Sequence, residues 1–350
     1  MSDTTTATAG TSGQPTAAAS PFDRTGIEPI IAVANRAPSI HNTQPWSWQL
    51  RPDRLSLRAD RDRQLGVADP DGHSLLISCG AALALTELGL RTLGWDVSVE
   101  RLPDPADPDL LAEFRLATRR PATARELELF AAAQRRQSDR RPFTARQVEP
   151  ELVELLRGVA AGTGVYPDFP MRTEQRVDLA VAVSWADRTE RNDPDYLAEM
   201  NRWLREENVH ADGVPAGAIP NVPPGQPRHT EVPLRDFEIG VSGRLLIERD
   251  VDEHPLIAVL LTDSDTPLEQ LRAGEAMMRL MLEAELLGLG TCPLSQAVDL
   301  VAFRNRVQTL MGWQALPQMM LRIGYPAPDA AQPARTPRRP VADVLDVLAG

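Results

Sequence analysis

One run near the N-terminus, APSIHNTQPWSWQ at 37–49, constrains the local fold more than any other stretch of the chain. Small, polar, amide and aromatic side chains alternate in it too closely to form one face of a helix. Pro38 and Pro45 bracket a turn at which a helix must give way to a strand. The run therefore predicts a loop with two interpretations. It is either shaped around a flat polar ligand, or it is a capped turn whose Trp46 and Trp48 close one edge of the core.

Residues 38–46 read Pro-Ser-x-x-Asn-x-Gln-Pro-Trp, and this run resembles the hallmark loop of the nitroreductase family of FMN proteins. The resemblance implies that Ser39, Asn42 and Gln44 contact FMN. The edge of a flavin presents hydrogen-bond acceptors beside a donor, and the amides of Asn42 and Gln44 offer both functions. The hydroxyl of Ser39 is short enough to reach a ribityl oxygen or a phosphate, and Pro45 holds the loop in shape before the ligand arrives.

Composition narrows the class of protein. The 350 residues are 42% hydrophobic, which allows one large core or two medium ones. A net charge of −12 argues against nucleic acid as a partner, because the basic residues are interspersed with acids. No run of about 18 apolar residues is present, so no membrane contact is expected. Cys79 and Cys292 lie far apart, without metal-ligand spacing, as is typical of the reducing cytoplasm. We expect a cytoplasmic protein without a metal site.

The N-terminal segment 1–22 is rich in Thr, Ala, Gly and Ser, and it lacks the basic start and apolar stretch of a secretion signal. It predicts a disordered tail. Beyond it, hydrophobic spacing predicts helices and strands that are interleaved, without a Gly-x-Gly-x-x-Gly motif, and therefore an α+β fold. The predicted helices are 27–36, 74–93, 150–161, 174–191, 195–207, 267–287 and 300–311. The predicted strands are 46–50, 55–59, 95–101, 110–116, 164–169, 256–261 and 318–324.

The basic run RRQSDRRPF at 135–143 indicates a duplication. It resembles the Arg-rich opening of the nitroreductase family, displaced to the middle of the chain. Family members normally build the FMN site between two subunits, so the resemblance implies two halves, 23–132 and 133–350, that mimic that dimer within one chain. Arg140 and Arg141 would then hold the FMN phosphate, because arginine forks bind phosphate oxygens bidentately. The alternative is a solvated run at a helix end, with Arg135 and Arg136 exposed.

A second basic pair, Arg338 and Arg339, stands near the C-terminus. In the family, an arginine after the last strand reaches back to the same phosphate, and the resemblance implies that role for this pair. The alternative is that the pair, followed by an amphipathic segment at 341–348, pins the C-terminus. One FMN per chain follows from the first interpretation, in a monomer or a homodimer.

The run GLGTCPLSQ at 288–296 resembles the family segment whose backbone N–H faces flavin N5. The resemblance implies that Pro293, Leu294, Ser295 and Gln296 contact FMN there. Ser295 and Gln296 depart from the Glu-Gly of many members, and the Gln296 side chain would crowd the place where a nicotinamide stacks. Cys292 is expected to be a buried packing residue.

The chain is most similar to the Acg-type branch of the family, on this loop and on the runs at 101–105, 139–143, 317–325 and 336–341. Members of that branch carry an insertion that acts as a lid over the flavin. The segment at about 208–240, with its many prolines and glycines, predicts such a lid without regular structure, anchored by Asp236 and Phe237.

The resemblance implies an FMN-dependent oxidoreductase that passes electrons from NADPH or NADH, through FMN, to a nitroaromatic, a quinone or a similar conjugated acceptor. The alternative is an FMN-sequestering protein with little or no turnover. Flavin N5 carries the chemistry in either case, so no catalytic side chain is expected. His41 in particular is predicted to be a structural hydrogen bonder or exposed, because no nucleophile stands at a suitable spacing from it.

Overall fold

The chain is described here from a computed structural model that covers residues 22–207, 209–221, 232–235, 237, 242–245, 253–327 and 335–348. Most of the tail predicted at 1–22 lies outside these residues. Its last residue, Phe22, is 6% exposed and belongs to the main core.

Helices and strands alternate along the chain as the hydrophobic spacing predicts. The helices are α1 Arg24–Ala34, α2 His73–Thr92, α3 Ala124–Arg135, α4 Pro150–Gly158, α5 Thr173–Arg191, α6 Pro194–Trp203, α7 Pro267–Leu286 and α8 Val301–Met311. The strands are β1 Trp46–Arg51, β2 Arg54–Ala59, β3 Trp95–Arg101, β4 Leu110–Arg119, β5 Tyr166–Asp168, β6 Leu204–Arg205, β7 Val214–Pro215, β8 Leu256–Thr262, β9 Gly290–Leu294, β10 Leu316–Gly324 and β11 Leu345–Val347.

Five of these elements were not among those predicted: α3, β6, β7, β9 and β11. Helix α3 has a sequence signal, because Thr123 and Glu126 form a capping box at its start. Strand β9 contains Pro293, which argues against a strand, and β11 is only three residues long. The helix predicted at 195–207 ends earlier, at Trp203, where the chain turns into β6.

Two sheets carry the fold, and both are built mainly from antiparallel neighbours. A five-stranded sheet has the order β11-β1-β2-β4-β3, and a four-stranded sheet has the order β5-β8-β10-β9. Strand β11 runs parallel to β1, so the first sheet is mixed. The α+β prediction is therefore confirmed. The first sheet comes from residues 46–119, completed by β11 from the C-terminal end, and the second comes from residues 166–324.

The two sheets are joined through helices α2 and α7, which pack along each other at the centre of one continuous core. The contact is close because Gly80 of α2 faces Gly274 of α7. A Cβ on Gly80 would lie 2.0 Å from the carbonyl oxygen of Leu271, and one on Gly274 would lie 2.0 Å from that of Ile77. Helix α2 is long and apolar enough to span a membrane, but 89% of that stretch is buried within the protein, as in the core helix of a globular fold.

Substitution of Gly80 by alanine is predicted to destabilise the protein, because the added methyl group must displace the backbone of α7. Overpacking of this kind costs about 1–3 kcal/mol or more. The matched control is Gly158→Ala in α4, where an added Cβ meets nothing within 4 Å. Urea unfolding should place Gly80→Ala well below the wild type and Gly158→Ala at or slightly above it. Equal midpoints for the two variants would contradict the close helix contact.

Candidate functional site

One cavity collects most of the residues that the sequence singles out. Its walls come from the loop after α1, the first turns of α2, the segment before Arg141, the middle of α7, strand β9 with the residues that follow it, the insertion after β6, and the segment before β11. The lining residues are Arg36, Pro38, Ser39, Ile40, His41, Asn42, Ser74, Ile77, Ser78, Arg136, Gln137, Ser138, Arg140, Val214, Leu234, Arg235, Phe237, Met277, Cys292, Pro293, Leu294, Ser295, Gln296, Met319, Arg335, Thr336 and Arg338.

The loop after α1 holds a strained backbone. His41, Asn42 and Gln44 have φ angles of 45°, 56° and 51°, in the left-handed region that non-glycine residues rarely adopt. Leu102 is the only other such residue in the part of the chain that the structure describes. Strain that is concentrated in one loop is typical of a functional site.

Side chains of the same loop keep it in this conformation. The Asn42 amide donates to the carbonyl of Gly213 at 3.0 Å and to that of Pro337 at 3.3 Å. The Gln44 amide donates to the carbonyl of Ala211 at 2.8 Å, and its oxygen accepts from the Arg339 backbone at 2.8 Å.

The two interpretations of the loop therefore both apply in part. Trp46 and Trp48 are fully buried and close the core edge, as the second interpretation states. Asn42 and Ser39 line the cavity, as the first requires. Gln44 is fully buried outside the cavity lining, and its amide is used to join the loop to the insertion and to the C-terminal segment.

Four arginines gather at one part of the cavity: Arg36, Arg136, Arg335 and Arg338. Arg136 is only 3% exposed, so the expectation of an exposed side chain is wrong for this residue, whereas Arg135 remains largely exposed. Arg136 donates to the carbonyl of Arg36 at 2.8 Å, and Arg338 donates to the same carbonyl at 3.3 Å. The four side chains converge because the loop, the basic run and the C-terminal segment meet here.

Within the part of the chain that is described, the positive charge of Arg36, Arg136 and Arg338 is poorly neutralised. Burial, and then the charge of Arg36, lowers the pKa of Arg136 to about 10. Burial, followed by Arg136 and Arg36, lowers the pKa of Arg338 to about 9. Over the described residues, no Asp or Glu lines the cavity. The buried Nε atoms of Arg36, Arg136 and Arg338 have no hydrogen-bond partner within that same part of the chain. A phosphate-like anion would supply both the charge and the acceptors that are missing.

Three arginines of the predicted site differ in their surroundings. Arg140 is partly buried and lines the cavity, with its guanidinium 5.1 Å from the centre of the Phe237 ring. Arg141 lies outside the lining and forms a buried ion pair with Asp139, at 2.6 Å between Nη2 and Oδ2, which raises the pKa of Arg141.

Arg339 also lies outside the lining. Its guanidinium pairs with Asp60 at 3.3 Å and donates to the carbonyl of Asp343 at 2.8 Å. These contacts hold the C-terminal segment against the first sheet, which agrees with the alternative interpretation for this residue. Direct ligand contact by Gln44, Arg141 and Arg339 stays a prediction, and the structure gives each of them a positioning role through other partners.

The end of β9 and the residues that follow it form another wall. Pro293, Leu294, Ser295 and Gln296 all line the cavity. Gln296 is 1% exposed, and its amide nitrogen has no partner among the residues described. The basic run and β9 are brought together because the Asp139 backbone donates to the carbonyl of Thr291 at 2.8 Å.

The insertion after β6 reaches the cavity with Val214, Leu234, Arg235 and Phe237. The expectation that it lacks regular structure is wrong for its described part, since β7 pairs with β6 and a 3₁₀ turn follows at Ala216–Ala218. Phe237 is buried, as its predicted anchoring role requires, whereas Asp236 lies outside the described residues.

Arg235 ties the insertion to the protein through a buried charge network. It pairs with Glu190 at 3.0 Å and with Asp299, and it contacts the hydroxyl of Tyr196. Asp299 also accepts a hydrogen bond from Ser74 at 2.8 Å, and Ser74 lines the cavity. The charge of Arg235 is thus neutralised inside the protein, whereas no carboxylate among the described residues pairs with Arg140.

His41 differs from its prediction. It is 5% exposed, lines the cavity and has no hydrogen-bond partner at either ring nitrogen in the described part of the chain. Its ring meets Phe237 edge to face, with 5.9 Å between the ring centres. Burial, then Arg235 and Arg140, lowers its pKa well below 6.5, so the imidazole is neutral at physiological pH.

Sequence reasoning missed Arg36, Arg136, Arg335 and His41 as members of this site. Arg36 directly precedes the loop and Arg136 lies inside the basic run, so position alone was a signal for both. Cys292 lines the cavity as a buried thiol whose pKa is raised by burial, which agrees with a packing role.

Comparison with known proteins identifies the class to which this fold and cavity belong. The family model described as "Nitroreductase family" matches residues 133–325. The chain belongs to the nitroreductase family.

Its relatives include two proteins of Mycobacterium tuberculosis strain H37Rv. It is 35% identical over 327 residues to the one named "Putative NAD(P)H nitroreductase Rv3131", covering 93% of this chain and 92% of the relative. It is 31% identical over 327 residues to "Putative NAD(P)H nitroreductase acg", covering 92% and 96% respectively. The predicted resemblance is therefore confirmed.

Among solved structures, a nitroreductase with bound FMN from Bacteroides fragilis NCTC 9343 is 13% identical, with a TM-score of 0.38, over 60% of this chain and 94% of that chain. This likeness is distant, and the family assignment rests on the sequence matches.

The first turn of α2, which brings Ser74 to the cavity, depends on Asp69. Its carboxylate accepts from the backbone N–H groups of Ser74 and Leu75 at 2.9 and 2.8 Å, yet burial raises its pKa to about 7. An acid whose pKa is raised in the folded state stabilises the fold less as the pH rises from about 4 to 7. The stability of the wild type relative to Asp69→Asn should therefore fall by about 1.4 kcal/mol per pH unit between pH 5 and 7.

Urea unfolding of both proteins at pH 5, 6, 7 and 8 measures this difference. Asp71→Asn, an exposed neighbour, controls for the loss of one negative charge. A difference that is constant across the range would mean that Asp69 is already ionised in the folded protein at pH 5.

Proposed function

We propose that this chain binds one FMN in the cavity and acts as an oxidoreductase, taking electrons from NADPH or NADH and passing them to a nitroaromatic, a quinone or a similar conjugated acceptor. One observation carries the proposal: four arginines converge on a cavity that no described acid lines, and the buried Nε atoms of three of them have no partner among the described residues. Membership of the nitroreductase family supports it, as do the relatives named NAD(P)H nitroreductases.

The phosphate of FMN fits the arginine cluster by charge and by hydrogen bonding. Arg36, Arg136 and Arg338 carry positive charge into a buried place, which is costly unless an anion pairs with them. A phosphate dianion accepts several hydrogen bonds and matches arginine forks. Arg335 and Thr336 complete the same wall. Arg140 lines the same cavity and contacts the ring of Phe237.

The ring of FMN fits the polar atoms that remain unpaired. The Asn42 oxygen is a buried acceptor and the Gln296 amide nitrogen is a buried donor, both without partners in the residues described. A flavin edge offers a donor and acceptors in return. Ser39, Pro293, Leu294 and Ser295 line the space around them. FMN, when bound, supplies the hydride chemistry, and the side chains of the chain hold it and shape its access.

The two-half arrangement explains how one chain builds the site. The loop residues come from 23–132, whereas Arg136 and the residues after β9 come from 133–350. Helix α2 of the first proposed half packs along helix α7 of the second, and this contact supports the proposal of one FMN per chain, in a monomer or a homodimer.

FMN sequestration is the second candidate, and one observation favours it. The insertion residues Val214, Leu234, Arg235 and Phe237 are buried against the cavity, and Arg235 is held by two carboxylates. In this second candidate, the described part of the insertion at about 208–240 is held by these contacts and acts as a lid over the cavity. Such a lid would slow the entry of a nicotinamide or an acceptor.

An anaerobic absorbance spectrum of the purified protein, before and after excess NADPH or NADH, separates the two candidates. We expect a flavin band that bleaches within seconds and returns on addition of a nitroaromatic. A flavin band that persists with both nicotinamides would favour sequestration. Protein that binds no FMN would contradict both candidates.

Substitution of Arg136 or Arg338 by glutamine is predicted to weaken FMN binding by at least about tenfold, because each removes a charge-assisted hydrogen bond to the phosphate. Binding of riboflavin, which has the same ring and no phosphate, should change much less. Arg135→Gln is the matched control, since this arginine is exposed and pairs with Glu285 outside the cavity. Flavin fluorescence titration of the four proteins with both ligands measures the effect. An equal loss for FMN and riboflavin would place the phosphate elsewhere.

A further inference from the structure

The cavity has a second polar region that the binding of a phosphate does not use. It consists of His41, Arg140 and Phe237, which we call the histidine subsite. Phe237 contacts both of the others, with its ring 5.9 Å from that of His41 and 5.1 Å from the Arg140 guanidinium. The charges that act on His41 are those of Arg235 and Arg140, whereas Arg338 responds to Arg136 and Arg36. The histidine subsite shares no residue with the arginine cluster, and the ring of Phe237 joins its members to one another.

Both ring nitrogens of His41 lack a hydrogen-bond partner among the described residues. A neutral imidazole has one N–H donor and one acceptor nitrogen. Both nitrogens of His41 are buried. The strained φ of 45° shows that the fold holds the ring here at a cost. Buried polar atoms are normally paired, so a ligand is the natural partner for this ring.

Arg140 supplies the charge of the subsite. No carboxylate pairs with it in the part of the chain that is described, and its guanidinium donates only a long hydrogen bond there, to the carbonyl of Ala218 at 3.5 Å. Arg235 is also close to His41, but Glu190 and Asp299 neutralise it. The subsite therefore offers one positive charge and one N–H donor beside an aromatic ring, which suits an anionic oxygen on a flat molecule.

The position of the histidine subsite indicates which ligand binds there. Phe237 belongs to the insertion, and the three residues of the subsite are separate from those proposed above to hold the phosphate and the flavin edge. Once the cofactor is bound, a second ligand is the partner left for them. This points to the electron acceptor.

We propose that His41, Arg140 and Phe237 form a subsite for the acceptor, and that it selects flat conjugated acceptors that carry a carboxylate. The proposal rests on the proposed function. It assigns Arg140 to the acceptor, where the family resemblance implied the cofactor phosphate. His41 donates a hydrogen bond to the carboxylate, Arg140 pairs with its charge, and Phe237 packs against the ring.

The test compares two probes that share a nitroaromatic ring and differ in charge, 4-nitrobenzoate and methyl 4-nitrobenzoate. Each is titrated into the oxidised, FMN-loaded full chain, and binding is read from the change in the flavin absorption spectrum, which needs no turnover. We expect the wild type to bind the carboxylate at least about tenfold more tightly than the ester, as a charge-assisted hydrogen bond would give.

Variants separate the contributions of the two polar residues. Arg140→Gln should bring the two affinities to near equality, and His41→Phe should reduce the preference. His41→Gln should retain most of it, because glutamine keeps a donor and an acceptor. Arg135→Gln controls for the loss of one positive charge outside the cavity. Flavin content, measured on each protein, shows whether the cofactor site is intact.

Three outcomes overturn the subsite. The first is equal affinity of the wild type for the two probes. The second is a preference that survives in both Arg140→Gln and His41→Phe. The third is loss of flavin in these variants with an unchanged preference in the fraction that stays loaded, which would place His41 and Arg140 on the cofactor. In each of these the wild type still binds FMN, so the proposed function stands. Protein that binds no FMN overturns both.

Discussion

The close contact of helices α2 and α7 is the constraint on which the rest of the structure depends. Gly80 and Gly274 let the two backbones meet, because neither position has room for a Cβ. This contact sets the distance between the two sheets, and the cavity lies beside it, with Ser74 and Ile77 from one helix and Met277 from the other in its walls. A larger separation would pull apart residues that must face one ligand. The site is therefore a consequence of the core.

The cavity is positively charged, although the chain as a whole is negatively charged. A protein with a net charge of −12 concentrates arginines in one buried place and keeps its acids away from the lining, as far as the structure describes it. Burial lowers the pKa of Arg136 and Arg338, which means that holding them charged costs stability. Such an arrangement is retained where a ligand offsets the cost. The positive φ angles of His41 and Asn42 also cost stability, and such strain is typical of functional sites.

Much of the fold could be read from the sequence because hydrophobic spacing reports burial directly. The long helices were predicted within a few residues, whereas β9 and β11 were not, since a proline and a short length hide them. For the site, the segments that the sequence singled out all meet at the cavity, but not every side chain named in them enters it. Arg140 and Arg141 are adjacent in sequence, yet only Arg140 lines the cavity, because Arg141 forms a buried ion pair with Asp139.

The sequence by itself determined the family, the α+β class and the segments that meet at the site, because motifs and periodicity are local properties of the chain. Tertiary structure alone decided which side chains enter the cavity and what charge they meet there. Arg36, Arg136 and Arg338 come from segments far apart in sequence, and the buried ring nitrogens of His41 have no hydrogen-bond partner among the described residues. Proximity, desolvation and pairing are properties of the folded arrangement, so no single segment could disclose them.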